Sequence, residues 1–371
     1  MTGRRAVVFA GGGTGGHLFP AVAIAERLVE QLPGATLRFW CSDRSIDARI
    51  LAQQTVGGEL VAFDPLPAKP VGARPGALLR FLRSWGPSVR EARARLRELK
   101  SAHDTVQLVA TGGFVAAPAV QAARVERVPV TLVNLDATPG KANRWAARHA
   151  RRVFNAADGG PDPWERVRPL VRAQAVGGDA ARCREALGLD PDRPTLLITG
   201  GSQGARSIND MVAALLGSHA EAFSAWQCIH QCGDEAQADP LARAYDGAGI
   251  DAIVRPFFAE VGLCWGAASA ALGRAGAGTV AEAWANRVPT LFMPYPWHRD
   301  EHQARNAAVL VDPGASEVVR DLREGNANAG GAAGDRLLVW LQDPGVPHRL
   351  ADRFSGLPEP DGADQIASSL L

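Results

Sequence analysis

Short β-like runs of apolar residues alternate with Ala-, Arg- and Leu-rich stretches along most of the chain. The runs are Ala6–Ala10, Thr36–Cys41, Leu108–Thr111 and Val130–Asn134, then Thr195–Thr199, Trp226–Gln231, Ala270–Gly273 and Thr290–Met293. Strands separated by helical stretches are the rhythm of βαβ units, so the pattern predicts an α/β fold built on parallel sheets. Between the two groups of runs, Asn155–Pro194 is rich in Gly, Asp, Pro and Arg and lacks apolar periodicity. It reads as a linker, and the boundary is placed near Arg168. The expected division is an N-terminal lobe over 1–168, a C-terminal lobe over 169–349, and a helical tail over 350–371 that packs back on the first lobe. Gly325–Gly334 reads as a flexible surface loop.

Length agrees with two lobes, because 371 residues exceed what one hydrophobic core usually fills. A formal net charge of +1 gives no global pull toward nucleic acid, and no nucleic-acid recognition motif accompanies the basic runs. The first apolar run is too short for a secretory signal, and no stretch approaches the roughly 18 apolar residues of a membrane span. The expectation is a cytoplasmic chain. Five scattered cysteines make a disulfide framework improbable. Cys228-Ile229-His230-Gln231-Cys232 invites a metal reading, which is set aside in favour of packing within a strand.

The chemistry-bearing features are three glycine turns between a strand and a helix. The first is Gly11-Gly12-Gly13-Thr14-Gly15-Gly16-His17. The second is Gly200-Gly201-Ser202-Gln203-Gly204-Ala205-Arg206-Ser207. The third runs from Gly273 through Gly276-Ala277-Gly278-Thr279 into a helix that carries Glu282. Glycine allows positive φ and close approach to the backbone, and the free N–H groups at a helix start favour an anion or a developing negative charge. One such turn can serve packing alone; three in two lobes point to a ligand. No P-loop lysine and no Asp-x-Asp motif stands beside them, so diphosphate charge would be met by backbone N–H groups and helix dipoles, with no metal and no cofactor required.

These residues resemble the MurG family of N-acetylglucosaminyltransferases along nearly the whole chain. The resemblance rests on Gly12–His17 with Phe19-Pro20, on Thr111-Gly112-Gly113-Phe114, on Gly200–Arg206 with Asn209, and on Ile229-His230-Gln231. Most specific is Gly276–Glu282 followed by Pro294-Tyr295-Pro296, Asp300-Glu301-His302-Gln303 and Asn306-Ala307. It implies a GT-B fold, two Rossmann-like doubly wound lobes facing each other across a cleft. It also implies transfer of N-acetylglucosamine from its UDP donor to the 4-hydroxyl of undecaprenyl-linked lipid I, forming lipid II.

By the same resemblance Glu282 would take the ribose hydroxyls. Gly201, Ser202, Gln203 and Gly204 with Gly276, Ala277, Gly278 and Thr279 would take the diphosphate, and His302 and Gln303 the transferred sugar. The backbone at Phe258 would read uracil, and Arg172 matches a family arginine loosely. Thr14, Gly15 and Gly16 join the same UDP-N-acetylglucosamine set through the first loop.

Inverting transfer needs a base for the attacking hydroxyl. His17 is best placed, since a helix N-terminus disfavours imidazolium; the alternative is that it orients the loop or donates to an acceptor phosphate. Asp136, in Asn134–Gly140, stands where the family has an amide and is a second candidate base. The family's glycine-asparagine-proline junction is replaced by Arg168-Pro169-Leu170.

Pro75–Lys100 sets Leu78, Leu79, Phe81, Leu82 and Trp85 among Arg80, Arg83 and other arginines. Such a stretch can lie in the headgroups of an anionic membrane surface, or it can bury its apolar face in the first lobe. With a lipid-linked acceptor, the former implies a peripheral protein on the inner face of the plasma membrane, in reach of cell-wall synthesis proteins. Rival readings are a transferase for another glycolipid, a UDP-sugar epimerase, and a non-catalytic UDP-sugar-binding protein.

Overall fold

The computed structural model describes residues 3–72, 74–157, 160–201, 204–297, 301–321 and 331–371. Ser202, Gln203, Asp300 and most of the expected loop at 325–334 lie outside them. The chain divides into two compact units, Met1–Arg172 with Asp361–Leu371, and Ala173–Pro360.

In the first unit the strands are β1 (Arg5–Gly11), β2 (Thr36–Ser42), β3 (Phe63–Leu66), β4 (Thr105–Gly112), β5 (Val130–Asn134), β6 (Arg152–Asn155) and β7 (Glu165–Arg166). All pair in parallel in the order β3-β2-β1-β4-β5-β6-β7. Val8 of β1 lies between Arg38 and Leu108. The helices that matter to the site are α1 (Gly15–Gln31), α2 (Ser45–Leu51), α3 (Pro75–Ala102), α4 (Gly113–Glu126) and α5 (Lys141–Ala147). The central strands are buried on both faces, which is why they read as continuous apolar runs. On one face Val8, Leu108 and Leu132 pack with Val115, Ala119 and Ala123 of α4.

The second unit repeats the design. Its strands are β8 (Thr195–Thr199), β9 (Gln227–Gln231), β10 (Ala252–Arg255), β11 (Ala270–Gly273), β12 (Thr290–Phe292) and β13 (Glu317–Val318), in the order β10-β9-β8-β11-β12-β13. Its relevant helices are α6 (Ala180–Leu187), α7 (Arg206–Ser218), α8 (Val261–Ala267), α9 (Ala277–Ala285) and α10 (His302–Val311). Both sheets are Rossmann-like, and in both the winding reverses beside the first strand, between β1 and β4 and between β8 and β11. Ligands of open α/β sheets bind outside the carboxyl ends of the strands at that reversal.

Several elements differ from the sequence reading. β3, β6, β7, β10 and β13 were not expected; they are short or carry proline and charge, as in Phe63-Asp64-Pro65-Leu66. The stretch expected as linker contains β7 and α6, and α6 is capped by Asp179, whose side chain accepts from Arg182 N at 3.1 Å. The first unit runs to Arg172 instead of Arg168, and the return to it begins at Asp361 instead of 350. Residues 350–360 stay with the second unit because Phe354 is buried in its core and Trp284 Nε1 donates to Pro358 O at 2.8 Å. Only α11 (Gly362–Ser368) packs on α1, tied by Ser368 Oγ to Gln31 at 2.9 Å and Arg27 to Asp364 at 3.4 Å.

Candidate active site

In the first unit, the turns after β1 and β4 touch through their backbones. Gly112 and Gly113 hold φ of +105° and +75°, and a Cβ on Gly113 would stand 2.1 Å from the Gly12 carbonyl. Only glycine satisfies both conditions. The contact brings the first turn of α1, with Thr14, Gly15, Gly16 and His17, over the turn after β4. There Thr111 O accepts from His17 Nδ1 at 3.1 Å, and Thr111 Oγ1 donates to His17 O at 2.7 Å. A carbonyl can only accept, so the neutral ring carries its proton on Nδ1 and presents the Nε2 lone pair.

Loss of water around the ring lowers the His17 pKa below its ordinary value; Asp136, the Thr111 carbonyl and Asp47 pull the other way, Asp136 most strongly. Desolvation thus has the part that sequence reasoning gave to the helix N-terminus.

Three residues that sequence reasoning did not single out build this site. Asp47, buried in the first turn of α2, accepts from Gly13 N at 2.8 Å, Ser42 N at 2.9 Å and Ser42 Oγ at 2.6 Å. It fixes the glycine loop from the side of β2. Asn134, at the end of β5, donates to the Asp136 carbonyl at 2.6 Å, and Asn143 of α5 donates to Asn134 Oδ1 at 2.9 Å. Nothing in their spacing marked them, since each works through a partner far along the chain or through a bend of the backbone. Arg172 is buried in the first unit, its guanidinium 3.6 Å from the Phe19 ring centroid and donating to Gln54 Oε1 at 2.7 Å.

In the second unit the corresponding turns follow β8 and β11. Gly201 and Gly204 have φ of +75° and +70°, and a Cβ on Gly204 would meet the Cys232 carbonyl at 2.4 Å. Gln231 holds the loop by donating to Gly201 O at 2.9 Å. After β11, Gly276 precedes α9, whose first turn is Ala277-Gly278-Thr279. Arg274 anchors this edge: Nη1 reaches Asp321 at 2.6 Å and Nη2 donates to Ser207 Oγ at 2.8 Å.

Further along α9, Glu282 Oε2 accepts from Trp265 Nε1 of α8 at 3.0 Å. Phe258 is buried beside Trp265 and Val280, in the loop after β10. His302 and Gln303 open α10, and Gln303 Oε1 accepts from Tyr295 N at 2.8 Å. Gly201, Gly204, Phe258, Gly276, Ala277, Gly278, Thr279, Glu282, His302 and Gln303 therefore follow the carboxyl ends of strands in this sheet, whereas Thr14, Gly15, Gly16 and Arg172, also expected to bind the donor, lie in the first unit.

His230 is fully buried and pushed down to about 3, its Nδ1 3.1 Å from the Tyr245 hydroxyl and its Nε2 3.1 Å from Asn209 Oδ1. Both ring nitrogens are engaged within the core.

On α3 only Ser88, Ala92 and Leu96 are buried. The apolar side chains of its first half stay open, with Leu78, Leu79 and Leu82 exposed by 45, 49 and 60%. Phe81, Trp85 and Trp145 of α5 form a ladder beside them, at centroid separations of 5.7 and 6.2 Å.

Residues 7–155 match the Glycosyltransferase family 28 N-terminal domain and residues 195–325 the family's C-terminal domain. A curated relative from Nocardioides sp. (strain JS614) is 36% identical over 324 residues, covering 85% of this chain and 84% of its own. One from Xanthomonas campestris pv. campestris (strain B100) is 32% identical over 371 residues, covering 99% and 82%. Both are UDP-N-acetylglucosamine–N-acetylmuramyl-(pentapeptide) pyrophosphoryl-undecaprenol N-acetylglucosamine transferases. The chain belongs to the MurG family. The crystal structure of MurG from Acinetobacter baumannii superposes with a TM-score of 0.70 over 99% of both chains at 23% identity, sharing the two-domain GT-B fold. A plant UDP-glucosyltransferase from Polygonum tinctorium has the same fold, with a TM-score of 0.68 at 16% identity.

Proposed function

We propose that this protein transfers N-acetylglucosamine from UDP-N-acetylglucosamine to the 4-hydroxyl of the muramyl sugar of lipid I, yielding lipid II. The reading is carried by identity above 30% to transferases of this activity across both glycine-loop sets. The second unit takes the donor. The amides of the turns after β8 and β11 and the start of α9 meet the diphosphate, Glu282 takes the ribose hydroxyls, the backbone at Phe258 takes uracil, and His302 and Gln303 take the sugar. The first unit takes the acceptor.

In the transfer step the acceptor oxygen bonds to the anomeric carbon as the bond from that carbon to the phosphate oxygen breaks. The bonding pair leaves with UDP, and the configuration inverts. His17 Nε2 receives the hydroxyl proton, and the Asp136 carboxylate stabilises the imidazolium that results. A tautomer with its proton on Nδ1 supports this role, because the lone pair is then on the outward nitrogen.

The open Leu78–Leu82 face with Arg80 and Arg83 beside it supports docking on anionic lipid, which gives a peripheral protein at the inner face of the plasma membrane. Among the described residues no helix is long and apolar enough to cross a membrane. Contacts with other cell-wall synthesis proteins belong to the same proposal.

The deciding experiment is transfer of radiolabelled N-acetylglucosamine to a lipid I analogue by purified protein in EDTA, with His17→Ala and Asp136→Asn alongside. Labelled disaccharide lipid from the wild type and little from His17→Ala is the expected result. UDP binding without transfer would replace this reading with another acceptor or a binding function. A greater loss in Asp136→Asn than in His17→Ala would make Asp136 the base.

A further inference from the structure

Three amides at the carboxyl edge of the first sheet form a chain whose polarity is fixed from one end. Asn155 Nδ2 donates to the Ala157 carbonyl, which can only accept, so Asn155 turns its Oδ1 toward Asn134. Asn134 Nδ2 donates to that oxygen at 2.6 Å and also to the Asp136 carbonyl at 2.6 Å. Asn134 Oδ1 then accepts from Asn143 Nδ2 at 2.9 Å. Each link leaves the next side chain one orientation, because a flipped amide would set two oxygens or two NH2 groups against each other in a buried site. Asn134 and Asn155 are 1% and 2% exposed, so water does not substitute for a lost partner.

The last link lies at the turn that carries the His17 ring. Asn143 is left with its Oδ1 toward the turn after β4, 3.6 Å from where a Cβ on Gly112 would stand; His17 Nδ1 lies 2.9 Å from the same point. Asn143 Oδ1 accepts no hydrogen bond from a described residue. The Nδ1–Cε1 edge of the imidazole and an oriented amide oxygen thus share one glycine turn, beside the ring whose Nε2 is to take the hydroxyl proton.

We propose that Asn143 binds the attacking hydroxyl of the acceptor through Oδ1, and that Asn134 and Asn155 are positioning residues that aim it. An acceptor oxygen beside the base holds the hydroxyl hydrogen in the ground state and selects for a sugar bearing a free hydroxyl at that carbon. This rests on the reading that the first unit takes the acceptor and that His17 is the base. A side chain that merely braces α5 would have no preference for a free hydroxyl on the ligand.

The test uses a soluble short-chain lipid I analogue and its counterpart lacking the attacked hydroxyl, both titrated onto the full chain without donor. The wild type should bind the hydroxylated compound about five- to tenfold more tightly, the range of one net hydrogen bond. Asn143→Ala should bind both alike, Asn143→Asp should keep the preference in part, and Asn134→Leu should lose it as Asn143→Ala does. The acid limb of the wild-type pH profile should persist in all three, since His17 is untouched.

A preference retained in Asn143→Ala, or absent from the wild type, overturns the proposal for Asn143 while leaving wild-type transfer intact. Binding of neither compound by the wild type removes the acceptor reading and this proposal with it.

Discussion

Thr111 and His17 are joined twice, by the ring Nδ1–H to the Thr111 carbonyl at 3.1 Å and by the Thr111 hydroxyl to the His17 carbonyl at 2.7 Å. The pair fixes the tautomer and the height of the ring above the turn. With the His17 pKa held below 6.5, the base form dominates at neutral pH. kcat/KM for the acceptor should therefore be flat above about pH 7 and fall with a midpoint below 6.5 as Nε2 is protonated. The unfolded imidazole protonates first, so the same depression makes the fold lose stability as pH drops below 6.5. Replacing His17 with alanine should remove the acid limb along with most of the rate; a profile unchanged in shape would assign the limb elsewhere.

Asp47 is the support of the first glycine loop. Its Oδ2 takes three hydrogen bonds, so Asp47→Ala should destabilise the chain by about 3 kcal/mol in urea titration. Asp47→Asn, which keeps an acceptor at the same place, should cost less. Transfer should fall in both while UDP affinity stays near wild type, because the loops proposed for the donor belong to the other unit.

The open face of α3 calls for the opposite signature. Replacing Leu78, Leu79 and Leu82 together with serine should leave the urea midpoint unchanged, since none of the three is buried. It should lower binding to vesicles containing anionic lipid by more than about tenfold. Transfer to a soluble acceptor should be unaffected. Full vesicle binding by this variant would dismiss the face as a membrane contact.

Arg274 and Asp321 form a nearly buried ion pair to which Ser207 adds a hydroxyl, donating to Asp321 at 2.8 Å. Asp321→Ala leaves the guanidinium uncompensated and should cost about 3–5 kcal/mol, with weaker UDP binding by calorimetry. Arg274→Met combined with Asp321→Leu should recover much of the stability but not the UDP affinity, if the pair's purpose is to hold the loop edges in register.

Sequence reasoning reached the central strands because they are buried on both faces and carry their signal in every residue. It missed β3 and β10, at one edge of each sheet, where runs of four residues are too short to show a period. At the site, the glycine turns were legible because positive φ and backbone contact leave one permitted residue type, as at Gly113 and Gly204. Asp47, Asn134 and Asn143 were not legible: an aspartate in a helix or an asparagine at a strand end is ordinary until its partner is seen. Glu282 stood out in the third motif, whereas Trp265, which donates to it, carried no mark.

The crossing back at Asp361 has a consequence for synthesis. Helix α11, made only after the whole second unit, covers α1, the helix that carries His17. On the ribosome the second unit is complete while the unit bearing His17 still lacks one of its helices. The order of completion is therefore the reverse of the order of translation, and a fragment ending at Arg172 would leave the surface of α1 uncapped.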